Sequence, residues 1–247
     1  MPESIKKKID VPTAITTLLM ASSLLFAGVL GYYSGYNAYA QNNSNNNKKL
    51  SPNDFQVTKP SPDLTERWWQ WAASYPRDES PITDTTGERC SQGDFGDIFF
   101  LAGSEGSGKV ERNCTVTEGQ AILIPIVNAL CYVSEPGDTQ QSLLAQCREF
   151  MDQQKNLKLI IDGQKVQNLE TNYRVTNPTF FIVDFAENNI FGAPAGSDQA
   201  VADGYWALIE GLSPGEHTIS VVGKLHGQSS IGKIDFKTDV TYHLTVE

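Results

Sequence analysis

The chain has 247 residues and is acidic, with 29 Asp and Glu against 19 Lys and Arg and a net charge of −10. An acidic chain repels phosphate backbones, so we expect no nucleic acid partner. The length suits one domain or two small ones.

The N-terminal region has the three parts of a secretory signal peptide. Lys6–Lys8 precede an apolar run from about Ala14 to Leu30, and Ala38-Tyr39-Ala40 forms a small-x-small cleavage site. We therefore predict a signal peptide over residues 1–40, cleaved between Ala40 and Gln41. The alternative is an uncleaved membrane anchor. The protein would then contact the membrane only through this segment.

Residues 41–50 are polar and rich in asparagine, which predicts a flexible tether. Residues 51–247 are predicted to form a single disulfide-bonded β-rich domain. Without residues 1–40 the chain keeps 16 basic and 27 acidic residues, a net charge of −11. We interpret this acidity as a solubility feature.

Two helices are predicted. The first begins at Pro62, with Ser61 as its cap, and ends at Pro76. The apolar face of this helix is formed by Leu64, Trp68, Trp71 and Tyr75. The second helix runs from about Thr139 to Gln154 and also has an apolar stripe.

Most of the remaining chain has the composition of β-strands. The predicted strands are Asp97–Ala102, Gln120–Asn128, Leu157–Ile161, Gln164–Leu169, Phe180–Phe185, Tyr205–Leu212, His217–Leu225 and Lys233–Val246. Pro125 predicts a sheet edge or a bulge. Asp162-Gly163 predicts a tight hairpin.

The last predicted strand has the clearest pattern. From Lys233 to Val246 the even positions are almost all apolar and the odd positions are polar, which indicates a strand covered on one face only. A strand of this length is expected to bend or bulge midway. Many short strands and two helices predict a mainly β fold, an antiparallel β-sandwich of the immunoglobulin-like or jelly-roll kind with two short decorating helices.

All four cysteines lie in the first half of the predicted domain: Cys90, Cys114, Cys131 and Cys147. An even number of cysteines in an exported chain favours disulfides over thiols. Three pairings are possible. We favour Cys90–Cys114 with Cys131–Cys147, because each closes a short loop. Cysteine metal sites use close pairs such as C-x-x-C, which are absent, so we predict no metal here.

Two other motifs are interpreted as structural. Gly103–Lys109 fits the start of a phosphate-binding loop, but Val110 replaces the expected hydroxyl residue and the next segment has strand composition. The three histidines, His217, His226 and His243, could bind zinc or copper only from one face. Strand alternation places His217 and His243 on opposite faces.

Two acidic stretches could bind calcium or supply an acid–base pair. The first contains Asp84, Asp94 and Asp97, and the second contains Asp184, Glu187, Asp198 and Asp203. Neither has EF-hand spacing, so solvated loop charges are the plainer interpretation. We expect no cofactor, with calcium as the alternative. A hydrolase would draw on Asp84, Asp94, Asp97 and Glu66.

Aromatic side chains are the candidate binding residues. Trp69 points away from the apolar stripe of the first helix, so it is predicted to be exposed. Tyr205 and Trp206 are further candidates. Such aromatics bind glycans or protein partners. Two sequons, Asn42-Asn43-Ser44 and Asn113-Cys114-Thr115, are glycosylation motifs.

Several motifs together resemble a family of exported bacterial and archaeal proteins without an established activity. These motifs are ERWWQWAASYP (66–76), D-x-x-G-x-x-C (84–90), DIFFLAGS (97–104), AILIPIVNALC (121–131), DGYWALIEGLSPGEHTI (203–219) and DVTYHLTV (239–246). The resemblance implies export and a single compact domain, and it transfers no catalytic residue.

The sequence therefore predicts a secreted or extracytoplasmic module, anchored if the leader is retained. Its expected role is non-catalytic binding or structure, with a carbohydrate or a surface protein as partner. The alternatives are an extracytoplasmic hydrolase that uses loop carboxylates and a metal-binding exported protein.

Overall fold

The computed structural model describes residues 55–106, 108–230 and 232–247. The predicted signal peptide, its cleavage site between Ala40 and Gln41, and the tether over residues 41–50 lie outside the described residues. The described part is mainly β. One core of apolar side chains lies between two sheets, and a second lies between the first sheet and a helix.

The first sheet is built on β8 (Gly196–Glu210). β4 (Ala121–Tyr132) pairs antiparallel with one edge of β8, while β7 (Arg174–Phe185) and the short β1 (Gln56–Thr58) share its other edge. β2 (Ile98–Phe100) continues the sheet beyond β4 and runs parallel to it.

The second sheet is built on β10 (Gly232–Val246). β9 (Gly215–Ser229) pairs antiparallel with β10, and β5 (Gln154–Ile161) and β6 (Gln164–Lys165) continue the sheet. β3 (Lys109–Val116) lies on the other edge of β10 and runs parallel to it. The β9–β10 register is continuous, so of the two expectations for the last strand, a bend or a bulge, the bulge is wrong.

The sandwich-like, mainly β architecture is confirmed, but both sheets are mixed rather than purely antiparallel. Each sheet contains one parallel pair. In the first sheet the reason is the path of the chain: after β2 it enters β3 in the second sheet, and then returns to β4 beside β2. In the second sheet β3 pairs with β10.

Both predicted helices are confirmed. α1 (Pro62–Ala73) has a proline in its first turn, and α2 (Gln140–Asp152) is capped by Thr139, whose hydroxyl accepts the backbone N–H of Ser142. A third helix, α3 (Leu169–Asn172), was not predicted and begins where the predicted strand from Gln164 ends.

The bulge predicted at Pro125 is confirmed, because the β4–β8 register shifts between Pro125 and Val127. Before the shift Ile124 packs between the two sheets, and after it the odd-numbered Val127 does so. Leu130 instead packs against the second core. The extra residue therefore exchanges the two faces of β4: even-numbered residues face the other sheet before it, and odd-numbered residues do so after it.

Both predicted disulfide pairings are confirmed. Cys90–Cys114 joins a short 3-10 helix (Cys90–Gly93) to β3, and Cys131–Cys147 joins β4 to α2. Disulfides of this kind indicate an extracellular or otherwise oxidising compartment. Within the described ranges no helix is both long and apolar enough to cross a membrane.

A buried arginine ties the two sheets to the loops between them. Arg112 on β3 is 1% exposed, and all five of its N–H groups donate hydrogen bonds. The acceptors are the carbonyls of Ile82, Asp84, Ala102 and Gly103 and the hydroxyl of Tyr242. The guanidinium therefore fixes the loop before the 3-10 helix and the crossing from β2 to β3.

Replacing Arg112 with Met should lower the free energy of unfolding by about 3 kcal/mol or more, because buried carbonyls lose a charged donor and gain no water. Urea unfolding of the oxidised protein measures this. Arg77→Met is the matched control: Arg77 is 53% exposed in its side chain and forms a surface ion pair with Glu105. Such a pair is worth at most about 1 kcal/mol. Equal losses in the two variants would contradict the role of Arg112.

Candidate functional site

The three aromatic residues predicted to bind a partner are buried. Trp69 is 4% exposed, Tyr205 is 4% exposed and Trp206 is 1% exposed. Tyr205 packs between the sheets, and Trp206 lies against Trp68 with ring centroids 5.2 Å apart. The expected exposure of Trp69 is therefore wrong, and none of the three presents a ring to a partner.

Trp69 is buried because a distant segment covers the second face of α1. The loop after β7 returns over the helix, and its Phe191 ring lies 6.0 Å from the Trp69 ring. Two backbone hydrogen bonds fix this loop, from Ala186 to the carbonyl of Ala73 and from Arg77 to the carbonyl of Asn188. α1 is thus packed on two sides.

The four carboxyl groups named for a hydrolase are engaged separately or exposed. The Asp84 carboxylate accepts backbone N–H groups of a turn, Glu66 accepts the amide of Asn177, and Asp94 accepts the amide of Gln120. Asp97 is exposed. Among the described residues no hydrogen bond joins two of these four groups.

Asp84 has a structural role in its turn. Burial raises the pKa of its carboxyl, but hydrogen bonds from the backbone of Thr86, Arg89 and Gly87 outweigh that effect and hold the pKa below its usual value. The charged carboxylate organises residues 84–89, immediately before the 3-10 helix.

The three histidines are separate. His217 contacts Asp162, His226 contacts Asp235 and His243 contacts Glu111. In the part of the chain that the structure describes, no group of three or more His, Cys, Asp or Glu side chains is placed to hold a metal.

The second acidic stretch is likewise divided. Asp203 is 1% exposed and accepts a bidentate pair from Arg174 together with the Thr176 hydroxyl. Asp184 accepts the hydroxyl of Ser197. These contacts hold β7 against β8, and they give Asp203 and Asp184 a structural role.

The glycine-rich segment from Gly103 leads into a strand, as its composition predicts. β3 begins at Lys109, so there is no helix N-terminus at this point to receive a phosphate. Ser104 instead donates to or accepts from Thr238 at 3.1 Å, and the segment lies along β10.

The structure identifies a different exposed aromatic, Phe95. Among the described residues, Phe95 (44% exposed) and Ile182 (49% exposed) are the large apolar side chains on the surface. Phe95 lies in the loop Asp94–Asp97, between the 3-10 helix and β2. This loop is rigidly held: the Phe95 N–H donates to the carbonyl of Ile98 at 3.0 Å.

Gln120, in the turn between β3 and β4, fixes the same loop. Its side-chain amide donates to Asp94 Oδ1 at 2.6 Å and to the carbonyl of Gly96 at 2.9 Å. Its side-chain oxygen accepts the Thr117 N–H at 2.8 Å. Gly96 has a φ of +83°, which a side chain would strain. The loop therefore has one preferred conformation.

The Phe95 ring packs against buried aromatic rings. The Phe95 ring lies 4.8 Å from Phe100, which is 2% exposed and in turn contacts Trp71. The Arg67 guanidinium lies 5.8 Å from the Phe100 ring centroid. The 3-10 helix is held by its disulfide and by the Trp71 indole, which donates to the Gln92 carbonyl.

Acidic residues lie in this loop and at the turn before β4, whose Gln120 is hydrogen-bonded to the loop. Asp94, Asp97, Glu118 and Glu247 are all exposed, and the Glu118 N–H donates to the Glu247 carbonyl at 2.9 Å. We call Phe95 with these four residues the Phe95 surface. It lies at one end of the first sheet, where β2 and β4 both begin.

The sequence analysis chose Trp69, Tyr205 and Trp206 as candidates and did not consider Phe95. A signal was available: Phe95 stands alone in the run SQGDFGD, among turn-forming residues and outside any apolar period. A large apolar side chain in such a run has no strand or helix face on which to bury itself.

His217 at the start of β9 lies between two acceptors. Its Nδ1 is 2.7 Å from Asp162 Oδ2 and its Nε2 is 2.7 Å from the Ser213 carbonyl. Only the imidazolium form donates to both. Burial lowers the pKa of His217, but its hydrogen bonds to Asp162 and Ser213 outweigh this effect, so the pKa is raised.

Because this pKa is raised on folding, the contact should stabilise the protein fully below the unfolded value of about 6.5 and lose that effect as pH rises through the folded pKa. The difference in unfolding free energy between wild type and His217→Gln should therefore be largest below about pH 6.5, the unfolded value, and shrink as the pH rises above it. His226→Gln, at a half-exposed position, is the control. A difference that is constant with pH would contradict the assignment.

Comparisons with known proteins add little to this geometry. No family model matches the chain, and no curated protein matches it. The solved structure of PbICP-C in complex with falcipain-2 is 14% identical over 62% of this chain and 100% of that chain, with a TM-score of 0.24. The solution structure of Amebosin is 10% identical over 56% and 96%, with a TM-score of 0.18. Neither likeness supports an argument about this protein at these TM-scores.

Proposed function

We propose that this protein is a non-catalytic binding module, exported or held at the cell surface, which binds a protein partner through the Phe95 surface. The observation that carries the proposal is an aromatic side chain 44% exposed on a loop fixed by hydrogen bonds. Anchors of this kind contribute a large part of the energy of protein interfaces.

The rigidity of the loop supports binding rather than chance exposure. An anchor that is already held in one conformation loses little conformational entropy when a partner covers it. The Gln120 contacts and the Cys90–Cys114 disulfide hold the loop on two sides. Ile182 is also exposed, but it is aliphatic, and interfaces are enriched in aromatic residues.

The charges around Phe95 indicate the chemistry of the partner. Asp94 and Asp97 are in the same loop as Phe95, Glu118 and Glu247 are exposed at the adjoining turn, and the predicted mature chain is acidic overall. A partner segment with Lys or Arg beside an apolar residue would complement this surface, and the attraction would speed association at low salt.

Phe95→Ala should weaken binding at least tenfold, about 1.4 kcal/mol, because the anchor is lost and the loop is otherwise unchanged. Immobilised oxidised protein first retrieves partners from the cell-surface fraction of its own source. Titration calorimetry with the purified partner then gives the affinity. Ile182→Ala is the matched control, since it removes the other exposed apolar side chain and should leave the affinity unchanged.

Two outcomes would overturn this assignment. Equal affinity of wild type and Phe95→Ala for the purified partner would remove Phe95 from the interface. A glycan array in which wild type binds a sugar and Phe95→Ala does not would move the partner class from protein to carbohydrate. The affinity of wild type should fall as the salt concentration rises. A smaller fall in Asp97→Asn would support the role of the acidic groups.

A further inference from the structure

We propose that Asn113 is an N-glycosylation site, which takes an oligosaccharide from a lipid-linked donor during export. Asn113-Cys114-Thr115 has the acceptor pattern of this modification. The pattern alone is common in sequences, so the argument depends on where the fold places these three residues.

The fold leaves the side chains of both Asn113 and Thr115 accessible. β3 alternates exposed and buried residues, so Asn113 and Thr115 project from the outer face while Cys114, 5% exposed, points inward to Cys90. The side chain of Asn113 forms no hydrogen bond to another described residue. A glycan on its amide would therefore displace no contact of the folded domain.

The backbone of Asn113 is fixed while its side chain is open. Its N–H donates to the Thr86 carbonyl at 3.0 Å, and a Cβ on Gly87 would lie 2.2 Å from the Asn113 carbonyl oxygen. The adjoining loop thus packs against the main chain of Asn113 and leaves the outer face free.

The chemistry is a glycosyl transfer. The side-chain amide nitrogen of Asn113 forms a bond to C1 of the first sugar and loses one proton. The bond from C1 to the diphosphate oxygen of the donor breaks, and the lipid diphosphate leaves with the electron pair. The donor is thus a lipid diphosphate oligosaccharide, and no oxidation or reduction occurs.

Peptide mass spectrometry of the full-length protein purified from its own cells tests the site. We expect the peptide that contains Asn113 to carry the added mass of one glycan, located on Asn113 by fragmentation. The Asn42 sequon lies in a different peptide, so modification there is measured independently. An Asn113 peptide found only in its unmodified form would overturn the proposal.

Variants expressed in a glycosylating host test whether the modification depends on the sequon and not on a change in folding. Asn113→Gln and Thr115→Ala should abolish the added mass at this site, whereas Thr115→Ser should retain it because serine also completes the sequon. All three changes lie on the exposed face of β3. Retention of the added mass in Thr115→Ala, or its loss in a folded, disulfide-bonded Thr115→Ser protein, would contradict glycosylation through this sequon.

Discussion

The position of the buried Arg112 guanidinium determines much of the remaining structure. A cation removed from water is stable only where its donors are all satisfied, and here backbone carbonyls and one tyrosine hydroxyl supply every acceptor. Those acceptors come from the loop around Asp84, from the crossing after β2 and from β10. One side chain therefore holds the loop around Asp84 and the crossing after β2 against the second sheet.

The Phe95 surface depends on this arrangement. Cys114 follows Arg112 by two residues on β3, and its disulfide to Cys90 fixes the 3-10 helix that leads directly into Asp94. Gly93 allows close contact there, since a Cβ would lie 2.1 Å from the Phe100 carbonyl oxygen. The arginine and the disulfide thus anchor neighbouring points of β3, and the loop is positioned by the sheet rather than by its own short sequence.

Sequence patterns predicted what depends on local chemistry. Pro62 began α1, Pro125 marked the bulge in β4, and the sequence-local pairing of cysteines was right. Contacts between distant segments were not predicted. Trp69 is buried by a loop more than a hundred residues away, and the parallel partner of β3 is the last strand of the chain. Helical periodicity identifies one face for packing, but it says nothing of a second covering segment.

The contrast between Trp69 and Phe95 shows why the candidate site was harder to predict than the fold. Trp69 has the larger ring and lies buried, because α1 offers it a covered face. Phe95 is smaller and is exposed, because the hydrogen bonds of its loop are made by Asp94, Gly96 and Gln120 and do not require its ring. A turn can be built from the same bonds with a polar residue at position 95. An aromatic ring there opposes the local preference for polar residues in turns, and departures of this kind concentrate where a protein binds something.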